Sequence, residues 1–367
     1  MQIPSVNGVQ VLVEAPVGYH VNFANPQKDT ATIIASYWAF GIGFLVSVLF
    51  LGQSLYTASF IRRAWRIENY MILPAWILTT AAQALILNCL YQGVLGVHVW
   101  EMSLDDVTWE TTLILAANLL VIPGTALAKL VLCVVYYRLS PMPWYRYVIY
   151  GTAVLMVVAF TSVWFSLLLA CKPVEAAWNL RLFTGSNCID RYPVHILQAS
   201  IGGVTDLVLM VITFITILPL QMPREKKAAV IAFLSTGLLT LGAAVARLVI
   251  LVTRLKDPDT TFVLAQVTLC LIVEANLVII CGSLTNFHIF IKYVSKHVLR
   301  VFAKPQSQTD REINGVQGSS SEAVVLYTIG GTPMDGGESG PGASDYNNSK
   351  VELIPQDWAK LSHQGCW

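Results

Sequence analysis

Charge is what this sequence has least of. Asp, Glu, Lys and Arg make up 12% of its 367 residues, against 55% apolar residues and a mean hydropathy of +0.61, where a soluble domain carries about a quarter charged residues. A water-soluble globular fold is thereby excluded, and length is no longer a count of globular domains. The charges are concentrated between the apolar runs and in the C-terminal tail, whereas a soluble protein spreads them over every helix. Net charge is also missing: at +1 there is no field to gather nucleic acid or an acidic macromolecule, so no nucleic-acid partner is expected. Soluble-enzyme signatures are absent, with no phosphate-cradling glycine loop, no nucleophile elbow and no cysteine framework for an iron cluster. The N-terminal segment lacks the basic start, short apolar core and small-residue cleavage site of a signal peptide. The first apolar run is therefore expected to act as its own insertion signal.

What is present is a set of seven apolar runs, near 36–58, 69–92, 112–136, 147–170, 197–221, 229–252 and 262–286. At about 1.5 Å per residue each is long enough to cross roughly 30 Å of hydrocarbon as a helix. Lipid offers backbone groups no hydrogen-bond partner, so a span is either a helix or a strand of a closed barrel. Barrel strands are short and alternate in polarity, and these runs do neither. The fold expected is an all-α membrane protein, a seven-transmembrane-helix bundle over 36–304. An N-terminal segment, 1–35, precedes it and a tail, 305–367, follows it.

Orientation follows from the Lys and Arg residues of the connections, since positive loops stay cytosolic. One set holds twelve, among them Arg62, Arg63, Arg66, Arg138, Arg146, Lys226, Lys227 and Lys292, and the opposite set holds six, including Lys28, Lys172, Arg181 and Arg254. The connection after the second run has no basic residue and carries Glu101, Asp105, Asp106 and Glu110. An extracytoplasmic N-terminus and a cytosolic C-terminus are expected, in the plasma membrane or the endoplasmic reticulum. Trp100, Trp109, Trp144, Trp178, Tyr19 and Tyr192 lie near run ends, where amphipathic rings anchor at headgroup level. The tail is rich in Gly, Ser, Pro, Asp and Asn, too polar to bury a core, and reads as disordered.

Cys89, Cys133, Cys270 and Cys281 fall inside spans, where a thiol acts as a small apolar group. Cys171 and Cys188 share the connection after the fourth run, on the side expected to be oxidising, and a disulfide between them would staple that loop over the bundle mouth. Cys366 is next to last and makes no prenylation signal, and the sequon at Asn347 lies in the tail, expected to stay unglycosylated.

Several residue groups, in order, carry a family likeness. They are Asn22-Phe23-Ala24-Asn25-Pro26; Gly93, Gly96, His98 and Trp100; Lys129 with Tyr136-Tyr137-Arg138-Leu139; Cys171-x-Pro173 with Trp178, Gly185 and Cys188. Asp206, Leu218-Pro219 with Lys226-Lys227, Gly237, Arg247 and Glu274 complete the series. Over about 20–290 the chain resembles the fungal rhodopsin-like integral membrane proteins, which include pathogenicity-receptor-like proteins and members encoded in secondary-metabolite gene clusters. Two departures stand out: Glu68-Asn69-Tyr70 where many relatives have two acidic residues, and a seventh run ending Cys281-Gly282-Ser283-Leu284-Thr285-Asn286 without the proline that usually follows. Retinal chemistry would need a lysine midway along the seventh helix. The run 262–286 has none, so no retinal and no other cofactor is expected.

A charge at bilayer depth costs about 2.5–3.5 kcal/mol on insertion scales and therefore faces the bundle interior with a partner. Lys129, Asp206, Arg247 and Glu274, one each from the third, fifth, sixth and seventh runs, are the candidates. They read either as ion pairs that fix helix register or as a polar pocket. In a pocket, Asp206 and Glu274 would accept from a ligand or move a proton, and Lys129 and Arg247 would hold an anionic or carbonyl group. Lys129, about eight residues from its helix end, has a stem long enough that it could also snorkel toward the interface; Asp206 and Glu274 are too short and too deep for that. At the outer mouth His98 is a candidate pocket or acid–base residue. The acids around it, with His195 in another connection, lack the spacing of a dedicated metal site, and a solvated acidic loop is the expected reading, with no metal.

Three function classes fit. The first is a receptor-like binder of a small, largely apolar ligand or metabolite, with membrane lipid around it and a cytosolic partner on its tail. The second is a membrane-embedded enzyme of cyclase, pericyclase or isomerase type in a secondary-metabolite pathway, using Asp206 or Glu274. The third is a transporter, against which stands the absence of any visible inverted repeat or paired broken helix.

Overall fold

The structure, a computed structural model, describes residues 5–6, 8–16, 18–23, 26–139, 143–178, 187–189, 191–217, 224–254 and 259–302. The described helices belong to one compact unit, Met1–Lys304; the other unit, Pro305–Trp367, which includes the tail, Cys366 and the Asn347 sequon, lies outside the described residues. Among the described residues, seven helices are long and apolar enough to cross a membrane. They are α1 (Thr30–Tyr56), extended by a π-helical turn at Thr57–Ile61, α2 (Ile67–Gln92), α3 (Leu104–Leu139), α4 (Pro143–Leu168), α5 (Arg191–Ile217), α6 (Arg224–Thr253) and α7 (Thr260–Leu284). An eighth helix, α8 (Phe287–Phe302), follows at once.

Helix ends differ from the hydropathy windows for identifiable reasons. α1 begins at Thr30, well before 36, because Asp29 caps it: its carboxylate accepts from the Thr32 backbone N–H at 3.1 Å and from the Thr32 hydroxyl at 2.5 Å. α3 starts at Leu104, not 112, because Asp105, Asp106 and Glu110 are helical; acids at a helix start suit its dipole while lowering any hydropathy average. α2 stops where Gly93 takes φ 71°, a left-handed conformation that closes the last turn through bonds from the Gly93 and Val94 N–H groups to the Leu90 and Cys89 carbonyls, both 3.2 Å.

Each helix packs on its chain neighbour, α7 closes the ring against α1, and α3 and α7 touch across the middle. Lipid is as apolar as leucine, so the hydrophobic effect does little to hold helices together, and close approach and interhelical bonds must do it. Gly43 on α1 lies where a Cβ would meet the Asn276 side chain at 2.7 Å, Gly124 on α3 lies 2.8 Å from Thr79 by the same measure, and Gly282 on α7 lies 2.9 Å from Ile72. Gly41, two residues before Gly43 on α1, faces open space. Bonds add to this: Asn276 to Gln83 (3.0 Å), Trp164 to the Leu119 carbonyl (3.0 Å), Tyr145 to the Ile212 carbonyl (2.6 Å), and Tyr136 with Thr213. The outer faces of α1, α4, α5 and α6 expose Trp38, Leu45, Leu49, Leu155, Val158, Val204, Leu239 and Val249, as a lipid solvent requires.

The two ends of the bundle are unlike. At one end the N-terminal segment, the α2–α3 connection and the described residues after α4 gather, the last joined by a Cys171–Cys188 disulfide and the short antiparallel pair β1 (Cys171–Lys172) and β2 (Asn187–Cys188). At the other end lie the arginines that follow α1 and the start of α8.

Candidate functional site

Mid-bundle, four helices each turn one charged side chain inward. Lys129 on α3 is 0% exposed, so it does not snorkel; its stem stays in the core and its ammonium is fully partnered. Nζ donates to Asp206 Oδ1 at 2.9 Å, to the Gly202 carbonyl at 2.9 Å and to Thr205 Oγ1 at 3.0 Å, which uses all three N–H bonds. The Phe160 ring centroid lies 5.7 Å away, within cation–π range.

Gly202 joins this pair to the second. One side of it offers the carbonyl to Lys129, while a Cβ on it would meet Arg247 Nη2 at 3.3 Å and Glu274 Oε1 at 3.5 Å. Arg247 on α6 and Glu274 on α7 are both buried, with Nη2 3.2 Å from Oε2. That distance makes an ion pair, yet its angle falls short of a hydrogen bond, and Glu274 Oε2, Arg247 Nε and Asp206 Oδ2 remain buried without a hydrogen-bond partner. The four candidates are therefore brought together as two ion pairs, one tight and one loose. A buried group left without a hydrogen bond costs about 1–3 kcal/mol, more when charged, a cost that the Arg247–Glu274 ion pair offsets in part at Glu274 Oε2 and that nothing described offsets at Asp206 Oδ2.

Asp206 also borders a cleft. Leu132, Tyr136, Leu209, Met210, Thr213, Leu234, Gly237, Thr240, Val278 and Cys281 line the rest of it, nearly all apolar, in a cavity of about 20 Å³. That volume is about one water's worth.

His98 lies elsewhere, at the disulfide end. Its ring stacks between Trp100 (4.9 Å) and Phe262 (5.2 Å), and Nδ1 lies 2.5 Å from Asp259 Oδ2. The other Asp259 oxygen accepts from the Val99 N–H at 3.1 Å. Asp259, the residue before α7, was not singled out in the sequence, although an Asp immediately before an apolar run is a helix-start signal.

The solvated acidic loop is corrected in part. Asp105 and Asp106 are exposed, but Glu101 and Glu110 are 5% and 3% exposed. Glu101 accepts from the Tyr19 hydroxyl (3.0 Å) and from the backbone N–H groups of Asn22 (3.4 Å) and Gln27 (2.6 Å), tying the N-terminal segment across the mouth. Burial, then the bond to Glu101 and its charge, raise the Tyr19 phenol above its ordinary value. Glu110 accepts from the Thr261 hydroxyl at 3.3 Å. His195 has interactions of its own. At the opposite end Arg138 Nη1 lies 3.2 Å from Glu68 Oε1, so the Glu68 of the departing Glu68-Asn69-Tyr70 stretch holds the last turn of α3 to the first turn of α2.

Seven spans, a buried charge quartet and a disulfide-closed end define a polytopic helical membrane protein of the seven-helix class. The fungal rhodopsin domain family matches residues 54–293, and the chain belongs to it. The match takes in all four buried charges and both disulfide cysteines, and begins after Asn22–Pro26 and most of α1. No curated protein and no solved structure matches the chain.

Proposed function

We propose that this protein binds a small, largely apolar molecule inside its helix bundle, through a hydrogen-bond donor of that molecule placed on Asp206, and that it works in a receptor-like way. The observation that carries this reading is the Asp206 carboxylate itself: Oδ1 is held by Lys129, while Oδ2 is buried, unpartnered and at the edge of an apolar cleft. Apolar walls with one oriented acceptor suit a ligand whose bulk is hydrocarbon and whose specificity rests on a hydroxyl or amine. Because the cleft holds about one water as it stands, a metabolite-sized ligand requires α6, which contributes Leu234, Gly237 and Thr240, to move outward from α3 and α5. Tyr136 links the cleft to the end of α3 that carries Arg138, so such a movement has a route to the basic end, which we place in the cytosol with the N-terminus outside. A disulfide at the other end suits that orientation.

The test uses a pair of apolar, environment-sensitive naphthalene dyes, one with a free hydroxyl and one with the same oxygen methylated. The hydroxyl dye should bind the purified full-length protein about tenfold more tightly, and Asp206→Ala should erase the difference. Equal affinities for the two dyes in the unaltered protein would defeat the reading. Because Asp206 Oδ2 is also the atom that would exchange a proton with a bound molecule, an isomerase or cyclase role tied to secondary metabolism stands as the second reading. It requires that membranes containing this protein alone convert a pathway intermediate, and that Asp206→Asn stops the conversion while binding persists.

A further inference from the structure

The basic end of the bundle carries a cluster that ligand binding at Asp206 does not use. α1 ends in its π turn at Ile61, the chain passes Arg62 and Arg63, and α2 begins after Arg66. Arg138 reaches the same place from α3, where its guanidinium meets Glu68 at 3.2 Å; the Glu68 side chain is 8% exposed and that of Arg138 45%. Partial burial, and then the charges of Arg66 and Arg138, hold the Arg62 guanidinium below its ordinary value, with Glu68 offsetting only part. Arg138 takes the one carboxylate, Glu68, while Arg62 feels the charges of Arg66 and Arg138 as well as that of Glu68, and Arg63 adds a further exposed cation next to Arg62 in the chain. Like charges brought this close in a half-buried place repel unless an anion joins them.

The surroundings say which anion. Phe60, Trp65, Ile67 and Tyr70 flank the arginines and are 69%, 44%, 61% and 63% exposed, an aromatic and apolar collar of the kind that marks the headgroup level. Alongside, α8 packs Phe287 on Phe50 (5.6 Å) and sets Phe290 edge-on to Tyr56 (6.3 Å), leaving Ile291 and Val294 exposed beside Lys292. At about 100° per residue Phe287, Phe290, Ile291 and Val294 fall on one stripe of α8 and Lys292 on the other, the pattern of a helix lying in a membrane surface. Lys296 and Arg300 follow Lys292 at the same four-residue interval.

We propose that this end of the bundle binds the phosphate headgroup of an anionic lipid among Arg62, Arg66 and Arg138, with the lipid's chains against the exposed collar and α8 in the same leaflet. Guanidinium forks match phosphate oxygens two at a time, which suits arginine over lysine for this task. The headgroup supplies the charge that Glu68 lacks.

The experiment titrates delipidated, detergent-purified full-length protein with dioctanoyl phosphatidylinositol phosphate, dioctanoyl phosphatidylserine, dioctanoyl phosphatidylcholine and inorganic phosphate, with bound species read by native mass spectrometry. Both anionic lipids should bind and phosphatidylcholine should not, and millimolar inorganic phosphate should leave the lipids in place. Arg62→Gln with Arg66→Gln should weaken anionic-lipid binding about thirtyfold, whereas Lys172→Gln, at the disulfide end, should change nothing. If the pair does not fold, either single variant decides, with about fivefold expected. Equal binding of phosphatidylcholine, or unchanged affinity in the Gln variants, overturns the proposal. Displacement of the lipids by inorganic phosphate assigns the cluster to a free anion and overturns it equally.

Discussion

Replacing Lys129 by Met keeps a side chain of similar length but removes its ammonium, which leaves Asp206 buried with neither oxygen paired. In the intact protein Lys129 Nζ makes three bonds of 2.9–3.0 Å at 0% exposure, so nothing about the pair resembles a surface ion pair, which contributes about 0–1 kcal/mol. Breaking a buried pair from one side costs about 3–5 kcal/mol, while exchanging both partners for apolar groups of like volume is often neutral or stabilising. Lys129→Met alone should therefore destabilise by about 3–5 kcal/mol, and Asp206→Leu added to it should recover most of the loss. Unfolding in mixed micelles with increasing dodecyl sulfate, followed by pulse labelling of the buried Cys133 and Cys281 thiols, measures both. The reasoning fails if the single variant costs under about 1 kcal/mol, or if the two substitutions simply add, since either result means that the charges do not hold one another.

Four further outcomes are expected. Gly124→Ala, whose new Cβ would lie 2.8 Å from the Thr79 side chain and 3.2 Å from its backbone nitrogen, should lose about 1–3 kcal/mol in the same assay, and Gly237→Ala, which meets nothing within 4 Å, should lose none. Arg63, at φ 49°, adopts a conformation that costs a side-chain-bearing residue about 1–2 kcal/mol, so Arg63→Gly should raise the unfolding midpoint. Without reductant Cys171 and Cys188 should resist maleimide mass-tagging in denaturant and gain two tags after reduction, and Cys171→Ser should cost about 3 kcal/mol for a loop of 17 residues. Protease outside sealed, correctly oriented vesicles should remove an N-terminal tag and spare a C-terminal one.

The seven spans were legible because apolar length is a one-dimensional property, and so were the charges that must point inward, because lipid permits them no other direction. Pairing was not. Lys129 and Asp206 are 77 residues apart and meet directly, beside the Gly202 carbonyl that takes another of the ammonium's bonds, a contact that the register of α3 against α5 decides and composition does not encode. The same holds for His98 with Asp259, from the α2–α3 and α6–α7 connections. Glu101 and Glu110 were read as solvated because a loop rich in acids is usually wet; Glu101 is gripped by the N-terminal segment folding back and Glu110 lies in α3 against Thr261 of α7, both long-range contacts with no local signal. Lys129 was given an escape to the interface on helix length alone, whereas three acceptors waiting in the core hold it there.

Glu101, by gripping Tyr19, Asn22 and Gln27, straps the N-terminal segment across the disulfide end of the bundle, reinforced by the Asp29 N–H on the Gly96 carbonyl at 2.9 Å. Under the binding role proposed above, a molecule bound for Asp206 would travel sideways, out of the surrounding bilayer and past α6. Its working dose would then be the amount dissolved in lipid, so two compounds of equal fit would differ in potency by their oil–water partitioning. A dissociation constant quoted per volume of buffer would drift with every change in the quantity of membrane.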